Sequence, residues 1–271
     1  MSTFTTIGSA AAAAALTVAI AGAVRTSTSR RSTVARHVVV AELFTSEGCS
    51  SCPPADALLQ QITSSSPVDG VEVLGLEEHV DYWDRLGWRD PFSHATFSNR
   101  QAEYAVRAFR FGQIYTPQLV VDGAFEAVGS DRNKVRAAIA AAASGPSASV
   151  SVAASTVGDR AHVEVAVDVP RHVERQSTAN ILVAIAEDGL ATNVERGENR
   201  NRTLPHSAVV RSLSAIGSLP LDESGRSVRV DLPLAPEWRT DRLRVVGFVQ
   251  ERGSLRILGA NATALGAQSA R

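Results

Sequence analysis

The rhythm of apolar positions changes near residue 147. Before it, Val-rich runs alternate with stretches of helical spacing. HVVVAELF (37–44) is a nearly continuous apolar run, the pattern of a strand buried on both faces. Pro53 to Ile62 puts Ala57, Leu58 and Ile62 on one helical side, with proline at the start, where its fixed φ suits a helix. SSSPVDG (64–70) breaks that helix, and VEVLGLEEHV (71–80) reads as a second strand. An aromatic-rich insertion, DYWDRLGWRDPFSHATF (81–97), follows, then helical spacing from Thr96 to Phe111. Gln118–Val121 and Ala124–Val128 form a predicted hairpin turned by Asp122-Gly123. Asp131 to Ala143 is a predicted helix, capped by Ser130 or Asp131.

After SGPSAS (144–149) the helical spacing ends. ASVSVAAST, AHVEVAVDV, NILVAIAED and RLRVVGFVQE are β-branched or alternating, with Gly, Pro and Asp between them. Strands at that spacing predict a small antiparallel sandwich. The expected organisation is therefore a signal or anchor segment and linker over 1–36, an α/β domain over 37–146, a β-sandwich over 147–264 and a disordered tail over 265–271.

Composition narrows the function classes. The chain has 271 residues, is 44% hydrophobic and carries a net charge of −1, so nothing marks nucleic acid as its partner. The only lysine is Lys134. Two cysteines exclude a disulfide framework and a four-cysteine zinc site. Residues Ile7 to Val24 are small and apolar, with small-x-small sites at Ala19-Ile20-Ala21 and Ala21-Gly22-Ala23, and predict export to a periplasmic or secreted location. Arg25, Arg30, Arg31 and Arg36 follow the run. If uncleaved, this segment is the expected membrane contact.

Both cysteines lie in FTSEGCSSCPPADAL (44–58), between a strand and a helix. A helix N-terminus stabilises a thiolate, and a second cysteine one turn away is placed to attack a mixed disulfide. Cys49 is thus the expected nucleophile and Cys52 the resolving thiol, with protein or peptide thiols and disulfides as substrates, an unidentified redox partner and no further cofactor. Two alternatives stand beside this. One is an inert disulfide in a binding or scaffold module, although so short a loop gives little entropic stabilisation. The other is a metal site built from Cys49, Cys52 and His79, with Asp81 or Asp84 as a fourth ligand. Tyr82, Trp83 and Trp88 are candidates for a substrate wall or for the core of the insertion. RGENRNRTLPHSAVVR (196–211) reads as a self-paired hairpin or a carboxylate site.

The strand 38–44, Cys49-Ser50-Ser51-Cys52-Pro53 and Thr116-Pro117 entering the hairpin resemble the thioredoxin-like superfamily. That resemblance implies a cis-proline at Pro117 facing the cysteine loop, with Thr116 pairing to substrate backbone. It also implies a buried acid beneath the cysteines, for which Glu42 is the candidate proton acceptor. ELFTSEGCSSCPPADALL, HVDYWDRLGWRDPF, YTPQLVVDG and VGSD together resemble the DUF1223 family, whose members are usually exported. Where that family leads one to expect Phe before His-Val-Asp, this chain has Glu78.

Overall fold

A computed structural model of the chain describes residues 1–3, 37–145, 147–169, 177–221 and 225–267. The expected signal or anchor run 7–24, the linker 25–36 and the last four residues of the tail lie outside them. Among the described residues no helix is long and apolar enough to cross a membrane. All described strands and helices lie in the compact unit Val34–Arg271.

The first half runs β1 (His37–Thr45), α1 (Pro53–Ser64), β2 (Val71–His79), a 3-10 helix (Asp81–Leu86), α2 (Ala95–Glu103) continued by a π turn (Tyr104–Ala108), β3 (Gln118–Val121), β4 (Phe125–Val128) and α3 (Arg132–Ala142). The second half is almost all strand: β5 (Ser149–Val157), β6 (Arg160–Asp168), β7 (Thr178–Glu187), β8 (Leu190–Val194), β9 (Arg202–His206), β10 (Val209–Pro220), β11 (Arg226–Pro233), β12 (Leu243–Glu251), β13 (Ile257–Ala264) and β14 (Gly266–Ala267).

These strands do not divide into a thioredoxin-like domain and a separate sandwich. That expectation is corrected by one mixed eight-stranded sheet, in the order β13-β12-β7-β10-β2-β1-β3-β4, that runs through both halves. β10 joins the free edge of β2 in parallel at Val209 opposite Glu77, and the Glu77 N–H donates to Ala208 O at 2.8 Å. β7, β12 and β13 then extend the sheet by antiparallel pairing. The physical reason lies in β7 and β12, whose central residues are buried on both faces. A two-layer sandwich leaves one face of each sheet wet, so such strands need cover on both sides.

The cover differs along the sheet. Val39, Ala41, Leu43, Val71 and Val73 pack under α1 and α3. Ile181, Ile185, Val245 and Val249 pack under a second sheet of order β11-β6-β5-β14. The alternating residues Val40, Leu74, Leu76, Leu182 and Ala184 turn to the other face, with Phe97 of α2. β6 alternates buried and half-exposed positions throughout, as a strand with one solvated face should. β8 and β9 form a separate two-stranded hairpin.

Candidate functional site

β1 ends at Thr45, and a tight turn carries the chain into α1. Within it the Cys49 N–H donates to Ser46 O at 3.1 Å, and the Cys52 N–H to Cys49 O at 3.2 Å. Cys52 has helical φ and ψ immediately before α1, which opens on Pro53 and Pro54. The turn brings the two Cα atoms to 5.4 Å, and Cys49 and Cys52 form a disulfide. Both cysteines are fully buried, whereas Ser50 and Ser51 between them are exposed. Ser51 Oγ lies 3.3 Å from Cys49 Sγ.

Three segments frame this loop. The half-buried Trp83 backs it: a Cβ added to Gly48 would meet the Trp83 Cβ at 3.2 Å. The Trp83 indole N–H donates to Thr116 Oγ1 at 2.8 Å, and the Thr116–Pro117 peptide is cis. Trp88 donates its indole N–H to Glu47 Oε2 at 2.7 Å, while Tyr82 donates to Gln101 Oε1 at 3.1 Å on α2. Of the three predicted aromatics, Trp83 and Trp88 thus belong to the cysteine loop, and Tyr82 turns to the helix. The third segment comes from the β8–β9 hairpin. Asn199 is buried, and its Nδ2 donates to Glu47 O and Cys49 O, both at 2.9 Å. The Ser50 N–H donates to Glu198 Oε2 at 2.9 Å, and the Ser50 hydroxyl followed by that N–H holds the Glu198 carboxyl below its ordinary range.

Strand periodicity then sorts the buried polar residues. Thr45, Glu77 and His79 face α1. There Thr45 donates to Asp56 Oδ1 at 2.7 Å, and His79 lies between Asp90 and Glu77. His206, from the end of β9, lies between Glu77 and Glu47. Burial and the Glu77 charge push Asp56 up to about 7. Burial opposes the ionised forms of Glu77 and His206, but hydrogen bonds and charge outweigh it: His206 and His79 hold Glu77 down to about 2, and Glu47 and Glu77 raise His206 to about 9.

Glu42 and Glu78 face the opposite side of the sheet. Glu42 accepts from Arg100 Nε at 2.5 Å and from the Tyr104 hydroxyl. Arg100 Nη2 also donates to Tyr104 at 2.9 Å, and Glu78 Oε1 lies 3.7 Å from Arg100 Nε. Glu42 is therefore buried, but its partners are on α2 and the turn that follows, on the face away from α1.

For metal ligation, Cys49 and Cys52 are bonded to each other, and both ring nitrogens of His79 meet carboxylates. Asp81 accepts from Ser98 Oγ at 2.5 Å and Asp84 from Ser93 Oγ at 2.8 Å. His79 is grouped instead with Glu77 and His206, one ligand atom of each lying within 4.8 Å of the others. Sequence reasoning did not find Glu47, Glu77, Asp90, Glu198, Asn199 or His206 as members of the site. The signal for the last three was the polar segment 196–211, which is conspicuous but does not name its target.

Among solved structures, protein AGR_C_4864 from Agrobacterium tumefaciens matches with a TM-score of 0.64 and 27% identity, over 86% of this chain and 96% of that one. HBP35 of Porphyromonas gingivalis shares the fold at a TM-score of 0.64 and 14% identity, over 87% of this chain and 78% of that one. No curated protein matches the chain. The model of DUF1223, described as a protein of unknown function, matches residues 40–250, so the chain belongs to the DUF1223 family.

Proposed function

We propose that the protein is a thiol-disulfide oxidoreductase whose redox centre is Cys49–Cys52. The observation that carries this reading is the pairing of the two cysteines across one turn at the start of α1. In the reduced protein the Cys49 thiolate attacks a substrate disulfide. An S–S bond forms to Cys49 and one substrate thiolate leaves. The Cys52 thiolate then attacks Cys49 Sγ, closing the Cys49–Cys52 disulfide and expelling the second substrate thiolate. Two electrons have passed to the substrate, and the reverse sequence oxidises a substrate dithiol. The Trp83–Thr116 pair beside the loop supports a peptide-binding edge, and the exposed Phe111 and Ile114 just before Thr116 support a protein substrate. The apolar run 7–24 supports export, and a disulfide persists in such compartments.

A second reading has its own observation. Both cysteines are closed to solvent, and Asn199 and Glu198 grip the loop that holds them. An inert disulfide that shapes a binding surface would look the same. Exchange assays separate the two. The enzyme reduces insulin or glutathione disulfide catalytically with a thiol donor, loses turnover in Cys49→Ser, and accumulates a mixed disulfide in Cys52→Ser. If no exchange is seen in either direction, and Cys49→Ser leaves the cellular role intact, the catalytic reading is wrong.

A further inference from the structure

Each of His79 and His206 has a carboxylate on both ring nitrogens. His79 Nδ1 lies 2.7 Å from Asp90 Oδ2, and its Nε2 lies 3.1 Å from Glu77 Oε1. His206 Nδ1 lies 2.6 Å from the same Glu77 oxygen, and its Nε2 lies 3.2 Å from Glu47 Oε1. Read as hydrogen bonds to ionised carboxylates, these contacts need four N–H donors, hence two imidazolium cations. Their ring centroids are 4.9 Å apart in a site closed to solvent. Like charges held that close repel, and each also loses its hydration.

Two neutral imidazoles fit the same geometry if the inner nitrogens give lone pairs to a cation. The outer N–H groups then donate to Asp90 and Glu47, the carboxylate–histidine arrangement that orients metal-bound imidazoles. One divalent ion replaces two protons, so the charge of the cluster is unchanged. Glu77 Oε2 accepts the Ser207 N–H at 3.1 Å, which leaves Oε1 for the ion. Phe92 packs edge-on against both rings, at centroid distances of 5.3 and 5.6 Å.

We propose that His79 Nε2, His206 Nδ1 and Glu77 Oε1 bind a divalent first-row transition ion, with zinc the best fit. Two imidazoles and one carboxylate suit zinc better than calcium or magnesium, which take oxygen ligands. Tetrahedral bonds of about 2.0–2.1 Å hold ligand atoms roughly 3.3–3.4 Å apart, so the Glu77–His206 pair opens by several tenths of an ångström and the Glu77–His79 pair scarcely moves. The ion joins β2 to the end of β9 and so fastens the hairpin that carries Asn199 against the cysteine loop. It is independent of the dithiol reading, since neither sulfur is a ligand.

The test counts metal in the full chain. Protein is purified without chelator from zinc-supplemented medium, and a second sample is unfolded and refolded with Zn²⁺ or Co²⁺. The expected result is one ion per chain in both. The cobalt form should show the visible bands of a tetrahedral site without thiolate-to-cobalt charge transfer. His79→Gln and His206→Gln each remove a ligand and should lower metal affinity by more than the roughly 10–100-fold that loss of a partner behind a ligand costs. The Cys49→Ser/Cys52→Ser double variant should keep its full metal content. The proposal is overturned by wild-type protein that is metal-free in both samples, by full metal in His206→Gln, by metal loss in the double cysteine variant, or by thiolate bands. Should the histidine variants fail to fold, the wild-type cobalt spectrum decides: no tetrahedral bands means no site.

Discussion

The side-chain amide of Asn199 holds the main chain on both sides of Gly48, donating at 2.9 Å to the carbonyls of Glu47 and Cys49 from 150 residues away in sequence. Its Oδ1 is in turn bound by Arg202 Nη1 at 2.8 Å, which fixes the amide's orientation. Asn199→Ala leaves the Glu47 carbonyl without its donor and Cys49 O with the Cys52 N–H alone, and should cost about 1–3 kcal/mol. Because the same contact closes the loop, the variant's disulfide should also be reduced faster by dithiothreitol under native conditions. A destabilised variant with an unchanged reduction rate would show that Asn199 supports the fold and does not gate the cysteines.

Glu198 acts on the same loop through charge. Its carboxylate sits on the Ser50 N–H, one residue from Cys49, and is exposed. A negative charge there disfavours the Cys49 thiolate. Glu198→Gln should therefore speed alkylation of the reduced protein near neutral pH by roughly twofold to fivefold at low ionic strength. The gain should shrink as salt is added. An acceleration of the same size at every salt concentration would point to loop opening, not to electrostatics.

Much of the first half was legible because its signals are local. The Val-rich run at β1, the double proline at α1 and Asp122-Gly123 between β3 and β4 each act within a few residues, and the observed elements fall where they indicate. The helical spacing over 96–111 is real, but it ends in a π turn at Tyr104–Ala108, followed by positive φ at Arg110 and Phe111. What the sequence did not reveal is partnership. The edge of β2 accepts β10 from across 130 residues, and no local pattern names that partner. One clue was present: NILVAIAE is apolar almost throughout, as a centrally placed strand is, whereas AHVEVAVD alternates. The site failed to show for the same reason. Glu77, Glu78 and His79 are adjacent in sequence, yet alternate faces send the first and third toward α1 and the second toward Arg100.

That second destination makes a contrast between two substitutions. Arg100 donates to Glu42, Tyr104 and Gln250, and its Nε lies 3.7 Å from the carboxyl of the buried Glu78. Arg100→Met strands two buried carboxylates and should cost about 3–5 kcal/mol. Glu78→Gln keeps the volume and removes the ionisable group. Burial, then the neighbouring Glu42, raises the Glu78 carboxyl, so ionising it costs stability as pH rises. The variant should gain about 1–3 kcal/mol at pH 8 and less at pH 5. Denaturant melts at the two pH values test this, and a Glu78→Gln variant less stable than wild type at pH 8 would mean that the charge is needed by Arg100.

Asp122, which feels the Glu42 charge, offers a further pH-dependence. Its Oδ1 accepts the Val40 N–H at 2.7 Å, and its φ of 46° is one that aspartate and asparagine tolerate. Burial pushes its carboxyl up to about 7; the Val40 N–H opposes this, Glu42 adds to it and Arg256 opposes it. A folded-state value above the unfolded one means that the native protein binds the extra proton between pH ~4 and ~7, so stability falls as pH rises through that window. An asparagine side chain there would keep the acceptor for Val40 without the charge. Asp122→Asn should therefore be nearly neutral below pH 4, gain through the window, and reach a plateau of about 1–3 kcal/mol above pH 7. The ceiling is about 1.36 kcal/mol for each tenfold difference in proton affinity between the folded and unfolded chain. At roughly 2–4 °C per kcal/mol for a chain of this size, the difference is readable in paired thermal melts. A gain of equal size at pH 5 and pH 8 would mean that asparagine helps through packing or backbone preference, and that Asp122 does not carry the proton.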